Sequence, residues 1–166
     1  MSQREREVAE SIDIAAPRAR VWAAVSDPGA YRRWSPESAG MRRLDGERGA
    51  PWAVGQRFVG VNRVWVPWTT TCRIVAADED AGRFAFDVDL GPFPVATWAY
   101  ELDDAGRGRV RVTERWTDRR DGPLGALVRP AGLIVGRGPD AAARNRTTMR
   151  ATLAALRTEL VADAAG

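Results

Sequence analysis

A series of runs alternating apolar with polar residues, separated only by turn-length gaps, fills the middle of the chain. They read GQRFVGVNRVW (55–65), WTTTCRIVAA (68–77), RFAFDVDL (83–90), ATWAYELD (96–103) and RVRVTERWT (109–117). A side-chain period of two is that of a β-strand with two unlike faces. The gaps carry turn chemistry: DEDAG, GPFP and DDAGRG. Gaps this short join antiparallel neighbours, because a parallel pair needs a crossover of about a dozen residues. The spacing therefore predicts an antiparallel meander.

The flanks add the rest of the fold. VAESIDIAAP places Val8, Ile12 and Ile14 on one face of a first strand that stops near Pro17. PRARVWAAVSDP then gives Val21, Trp22 and Val25 helical spacing before Pro28, and GAYRRWSPE predicts a second short helix closed by Pro36. MRRLDGERG reads as a short strand meeting a turn at Asp45-Gly46. From 140 to 163, Met149, Leu153, Leu156 and Leu160 form the apolar stripe of a long closing helix, with Asp140 as its N-cap. Residues 119–139 contain a glycine- and proline-punctuated connection to which the sequence assigns no role. The expected class is α+β: a curved antiparallel sheet of about six to seven strands wrapped on the C-terminal helix, with two short helices after the first strand. No linker or repeat divides the chain, so residues 1–166 are expected to form a single domain.

Composition removes several chemistries. Histidine is absent, lysine is absent, and all 25 basic residues are arginine. No Ser-His-Asp or Cys-His nucleophile can be assembled, and no lysine Schiff base can form. Cys72 is the only cysteine, so no internal disulfide and no thiolate-rich zinc centre is expected. A formal net charge of +3, with the arginines scattered among 22 acids, gives no continuous basic stripe. Nucleic-acid binding is not expected. No apolar run approaches the ~20 residues of a membrane span. The polar start MSQREREVAE lacks a signal-peptide pattern, so a cytoplasmic location is expected.

The strand phases select an inward face. Phe58, Gly60, Asn62 and Val64 form one set on their strand, preferred because the opposite phase would bury Arg57 and Arg63. Trp68, Thr70, Cys72 and Ile74 follow, then Phe84, Phe86 and Val88, then Trp98, Tyr100 and Leu102. On the last strand Val110, Val112 and Trp116 share the apolar face with Glu114. The closing helix offers Asn145, Met149, Leu153 and Leu156, and Trp34 with Tyr31 stands at the expected mouth. An apolar, aromatic wall with a few polar tips is the make-up of a small-molecule pocket and of an ordinary core alike. The expected ligand contacts are Trp34, Phe58, Trp68, Cys72, Phe84, Phe86, Trp98, Val112, Trp116, Asn145, Met149 and Leu153. A carboxylate on that face is costly unless paired. Glu114 is either a structural partner of Asn62, Arg63 or Arg73, or the polar anchor and general acid/base of a site. Asn62 and Tyr100 are the groups that could share such work, the latter through its phenol. Cys72 reads as an inert buried thiol.

The phrases IDIAAPRARVWAAVSDPGAYRRWSPE (12–37), VGQRFVGVNRVWVPWTTTCRIVAADEDAGRFAFDV (54–88), ATWAYELDDAGRGRVRVTERW (96–116) and the terminal TMRATLAALRTEL together resemble the START-related helix-grip superfamily (SRPBCC). Within it the chain is similar to the polyketide cyclase/dehydrase-like group. The resemblance implies an internal cavity for a hydrophobic or polyaromatic small molecule, polyketide- or lipid-like, and carries over no catalytic residue. Three readings follow. The chain is a non-catalytic carrier, or a polyketide cyclase/dehydratase using Glu114 with Asn62 or Tyr100, or a regulatory protein acting as a homodimer through Trp52 and Trp65. No cofactor is implied by any of them.

Overall fold

In the computed structural model of the chain, residues 5–63, 67–120 and 141–162 are described. Val64, Trp65, the Asp140 cap and the connection over 121–139 lie outside the described residues. The element order is β1 (Glu7–Ile14), α1 (Arg18–Val25), a 3₁₀ turn (Tyr31–Arg33), β2 (Ser38–Arg43), β3 (Arg57–Arg63), β4 (Pro67–Asp78), β5 (Arg83–Leu90), β6 (Phe93–Gly106), β7 (Arg109–Asp118) and α2 (Ala141–Ala162).

All strands join one antiparallel seven-stranded sheet in the order β1-β7-β6-β5-β4-β3-β2. The meander from β2 to β7 is the expected one. Its last strand then pairs with the first, from Glu7 opposite Thr117 to Ile14 opposite Val110. The β6–β7 hairpin turns through Gly106, Arg107 and Gly108, all with positive φ, which suits the right-handed twist of the flanking strands. Register shifts at Ser38/Gly40, Ile74/Ala76, Val88/Asp89 and Asp104/Gly106 interrupt the ladders. Such bulges bend strands, and a bent sheet acquires a concave face.

That face carries the expected phases. Val110, Val112, Glu114 and Trp116 are buried on β7, Thr70, Cys72 and Ile74 on β4, and Phe84, Phe86 and Val88 on β5. The arginines of β7 point outward: Arg111 pairs with Asp13, and Arg115 bridges Glu7 and Glu101. Helix α2 lies mainly on β1 and β7, burying Met149, Leu153, Leu156 and Leu160. Arg150 and Arg146 reach Glu10 of β1 from its flank. Leu153, Leu156 and Leu160 join Ile14, Val21, Ile74, Phe84 and Val112 in the main core, while Met149 joins Val8, Ala96, Trp116 and Ala142 in a smaller one.

One local expectation changes form. The second short helix expected in GAYRRWSPE is a single 3₁₀ turn. Between Pro28 and Pro36 the chain closes i→i−3 bonds from Arg33 to Ala30 and Trp34 to Tyr31, and a single i→i−4 bond from Ser35 to Tyr31 ends the run. Tertiary anchors hold the turn, with the Tyr31 hydroxyl donating to the Val25 carbonyl at 2.6 Å. Among the described residues no helix is long and apolar enough to cross a membrane.

Candidate functional site

Between the concave sheet, the 3₁₀ turn and one flank of α2 lies a cavity of about 100 Å³. Its apolar wall comes from Phe58 on β3, Cys72 on β4, Phe86 and Val88 on β5, and Trp98 with Ala96 on β6. Trp68 also lines it, as do Pro28 and Tyr31 from the segment after α1 and Met41 of β2. Gly60 keeps the β3 wall low. A Cβ there would stand 3.3 Å from Thr70 Oγ1 and 3.7 Å from Cys72 Sγ.

Glu114 reaches this space because the β7 phase turns it inward opposite Tyr100 of β6. Its side chain is enclosed, the residue being only 3% exposed. The Tyr100 hydroxyl donates to Oε1 at 3.0 Å. Oε2 is buried with no hydrogen-bond partner among the described residues. Burial pushes the carboxyl up to about 8, the Tyr100 hydrogen bond opposing and the charge of Glu37 assisting. At neutral pH the group is therefore mainly a neutral acid. Its unpartnered Oε2 can carry that proton within the buried site.

The same burial raises the phenols of Tyr31 and Tyr100 well above their ordinary range, with Glu114 the next cause for each. Both remain neutral donors. Burial also pushes the Cys72 thiol up to about 12, partly opposed by the Thr70 hydrogen bond, which leaves little thiolate for chemistry.

Asn62 and Glu37 are engaged elsewhere. Asn62 Nδ2 donates to Thr70 Oγ1 at 3.4 Å and makes no bond with Glu114. Glu37, just ahead of β2, accepts from Arg144 at 3.3 Å and from Thr148 at 3.4 Å, tying the cavity's edge to α2. Neither Arg63 nor Arg73 partners Glu114; its hydrogen bond comes from a neutral phenol. The cross-strand register sets Tyr100 directly opposite, whereas Asn62 sits three strands farther along the sheet.

The structure thus brings Asn62, Tyr100, Glu114, Phe58, Trp68, Cys72, Phe86 and Trp98 to one space. It sets the other expected contacts in packed regions off the wall. Phe84, Val112 and Leu153 lie in the main core, Trp116 and Met149 in the smaller core, and Asn145 is buried on α2. Trp34 is 3% exposed, with its ring 4.8 Å from Tyr31 and 6.0 Å from Tyr100, behind the wall rather than at a mouth. The reason is where the helix sits. α2 packs mainly on β1 and β7, so the facing side chains of β7 and α2 fill that space, and the void remains over the β3–β6 side.

Glu37, Ser35, Ser38, Thr148 and Thr152 also line the cavity, beyond the sequence expectations. Thr148 and Thr152 stand one turn apart on α2, three and seven residues beyond Asn145. Helical spacing could have found them. Glu37 follows Pro36 in irregular chain, where no periodicity exists to read. Among the described residues no group of three or more His, Cys, Asp or Glu is placed to hold a metal ion.

The profile of the family described as polyketide cyclase / dehydrase and lipid transport matches residues 5–161. No curated protein matches the sequence. Among solved structures, a START superfamily protein from Mycobacterium smegmatis is similar over 94% of this chain and 97% of its own, at 15% identity and a TM-score of 0.68. The di-domain ARO/CYC StfQ from the steffimycin biosynthetic pathway is similar at 14% identity and a TM-score of 0.64, over 92% of this chain but only 44% of StfQ. A major latex-like protein from Panax ginseng aligns over 93% of this chain and 96% of its own, at 14% identity and a TM-score of 0.61. At such identities the likeness is one of fold.

Proposed function

The chain belongs to the polyketide cyclase / dehydrase and lipid transport family, and from that premise we propose that it binds a hydrophobic small molecule bearing carbonyl or hydroxyl groups in the cavity beside Glu114 and removes water from it. The observation carrying this reading is the buried carboxyl of Glu114 beside the cavity, with Oε2 unpartnered among the described residues; burial favours its protonated form. A carboxyl near neutral pKa can run both halves of a dehydration. Its Oε2 proton goes to the departing hydroxyl, the C–O bond breaks, and water leaves. The resulting carboxylate takes the proton from the adjacent carbon, whose C–H electrons form the new double bond. The acid is thereby regenerated.

In this scheme Tyr100 is a positioning residue, its hydroxyl holding Oε1 so that Oε2 faces the ligand. Asn62, beside Thr70, presents an amide to a ligand carbonyl. Phe58, Phe86 and Trp98 exclude water and orient the chain, and orientation supplies much of the rate gain for a flexible substrate. The second reading is a carrier of the same ligand class. It is favoured by the wall itself, where most side chains carry no chemistry.

Native mass spectrometry of freshly purified protein should reveal a retained apolar molecule. Glu114→Gln keeps an acceptor for Tyr100 and a donor toward the cavity but cannot transfer a proton. It is expected to abolish dehydration of that molecule's hydroxylated precursor while holding affinity within about twofold. A retained molecule that wild-type protein never converts or releases altered would leave the carrier reading in place of the enzyme.

A further inference from the structure

The inner cavity abuts a second space of different chemistry. An open groove of about 1290 Å³ runs between α1, the outer edge of β2 and the loop over 44–56. Trp22 and Trp52 give it apolar flanks, and Arg32, Arg42, Arg43 and Arg48 line it against only two acids, Asp27 and Glu79. The arginines are not equivalent. Arg43 is committed to structure: it donates to the carbonyls of Asp45, Ala50 and Pro51 and to Gln56, and its guanidinium stacks 3.8 Å over the Trp52 ring. Arg32, Arg42 and Arg48 are exposed, and no ion pair or side-chain hydrogen bond engages them among the described residues. Asp27 is partly spent on the backbone N–H of Gly29, at 2.9 Å. The groove therefore presents uncompensated positive charge.

Gly40 and Met41 line both spaces. Met41 is partly buried, and its methyl lies 3.6 Å from where a Cβ on Gly29 would stand. One flexible thioether thus spans from β2 to the turn after α1 and forms the partition. Beside it Gly40 sits at the β2 register shift with φ of 145°, a conformation that favours glycine. A Cβ there would meet nothing within 4 Å. The wall at this point carries no side chain, and the space on the Cβ side of Gly40 is open.

Resting on the cavity reading above, we infer that the ligand is an amphipathic organic anion that straddles this partition. Its apolar part occupies the inner cavity, and its carboxylate or phosphate group lies in the groove with Arg32, Arg42 and Arg48. The division follows from the chemistry of the two spaces. An anion brought beside the buried carboxyl of Glu114 would lose hydration without gaining a cation. In the groove it keeps water and meets guanidinium groups suited to bidentate contact.

The test compares octyl phosphate, octanoate and neutral octanol, read by tryptophan fluorescence titration of the full chain. Octyl phosphate or octanoate should bind more tightly than octanol and weaken with added salt, and octanol should be insensitive to salt. The relative affinity of the two anions tells phosphate from carboxylate. The combined Arg32→Gln, Arg42→Gln, Arg48→Gln variant should weaken the anions about tenfold and leave octanol within about twofold. Gly60→Leu, which fills the inner cavity, should weaken all three probes; Cys72→Trp serves the same purpose where the first variant does not fold. Anion affinity that ignores the three arginines overturns the inference while leaving the cavity reading intact. Anion binding that survives a filled cavity also overturns it, because the chain would then lie outside. Failure of octanol to sense cavity filling counts against the cavity reading itself.

Discussion

Glu114 is held above its ordinary range by enclosure, and that has a thermodynamic consequence with a definite sign. Below pH 4.5 the carboxyl is protonated in folded and unfolded chains alike and contributes no pH dependence. Between 4.5 and about 8 the unfolded chain releases this proton and the folded one retains it. Stability is therefore lost as pH rises through that window, at a limiting slope of about 1.4 kcal/mol per pH unit from this one group. Glu114→Gln deletes the titration and nothing else of that sign. Its stability relative to wild type should rise steadily from about pH 5 to about pH 8 and then level off, read by urea denaturation at each pH. Parallel wild-type and variant profiles would mean that the carboxyl is solvated in the folded chain. The inward aim of Glu114 is legible in VRVTERW because a strand has only two phases. Its partner is not. Tyr100 stands opposite through a register set by the β6–β7 turn, and the sequence leaves Asn62 and two arginines as equal contenders.

At the scale of elements, α2 is held by two unlike sets of contacts whose magnitudes differ. Leu156 is fully buried against the sheet, whereas Arg150 pairs with Glu10 while 68% exposed. Leu156→Ala should cost about 2–5 kcal/mol through lost transfer energy and the cavity left behind. Arg150→Ala should cost less than about 1 kcal/mol, because an exposed pair gains little in water. Urea midpoints at constant slope measure both. Comparable losses would show the flank charges to hold the helix as strongly as the leucine stripe does. The stripe itself is readable from spacing alone, as are the meander strands, since each follows from a period within one segment. The 3₁₀ form of the second short helix is not readable in the same way, because the turn is anchored by Tyr31 finding the Val25 carbonyl. Nor is the seating of α2 on β1 and β7. That follows from pairing the first strand with the last, a contact between distant segments that no local pattern encodes. Because that seat was not legible, periodicity could place Val112, Trp116, Met149 and Leu153 on the inward faces but could not tell which inward residues border the void.

For the molecule as a whole, the size of the void sets what must move. A cavity of about 100 Å³ is smaller than the roughly 300–1,000 Å³ typical of small-molecule sites. A single aromatic ring approaches that capacity, and a fused polycycle exceeds it. Packing at crystal-like density leaves no slack in the surrounding core, so a larger ligand needs a discrete rearrangement rather than gradual yielding. The sequence could not disclose this, because cavity volume is a small difference between the space the bent sheet encloses and the side chains that fill it. The kinetics should expose the rearrangement. For a one-ring phenol, the observed association rate should rise linearly with concentration. For a three-ring quinone it should level off at the rate of opening, provided opening precedes binding. Met41→Ala, by thinning the partition, should raise that plateau and leave the phenol nearly unchanged. Stopped-flow quenching by the two ligands, with Trp68 and Trp98 in the cavity wall as reporters, makes the comparison. Linear behaviour for both, at equal slopes, would mean that the enclosure already stands open to polycyclic ligands in solution.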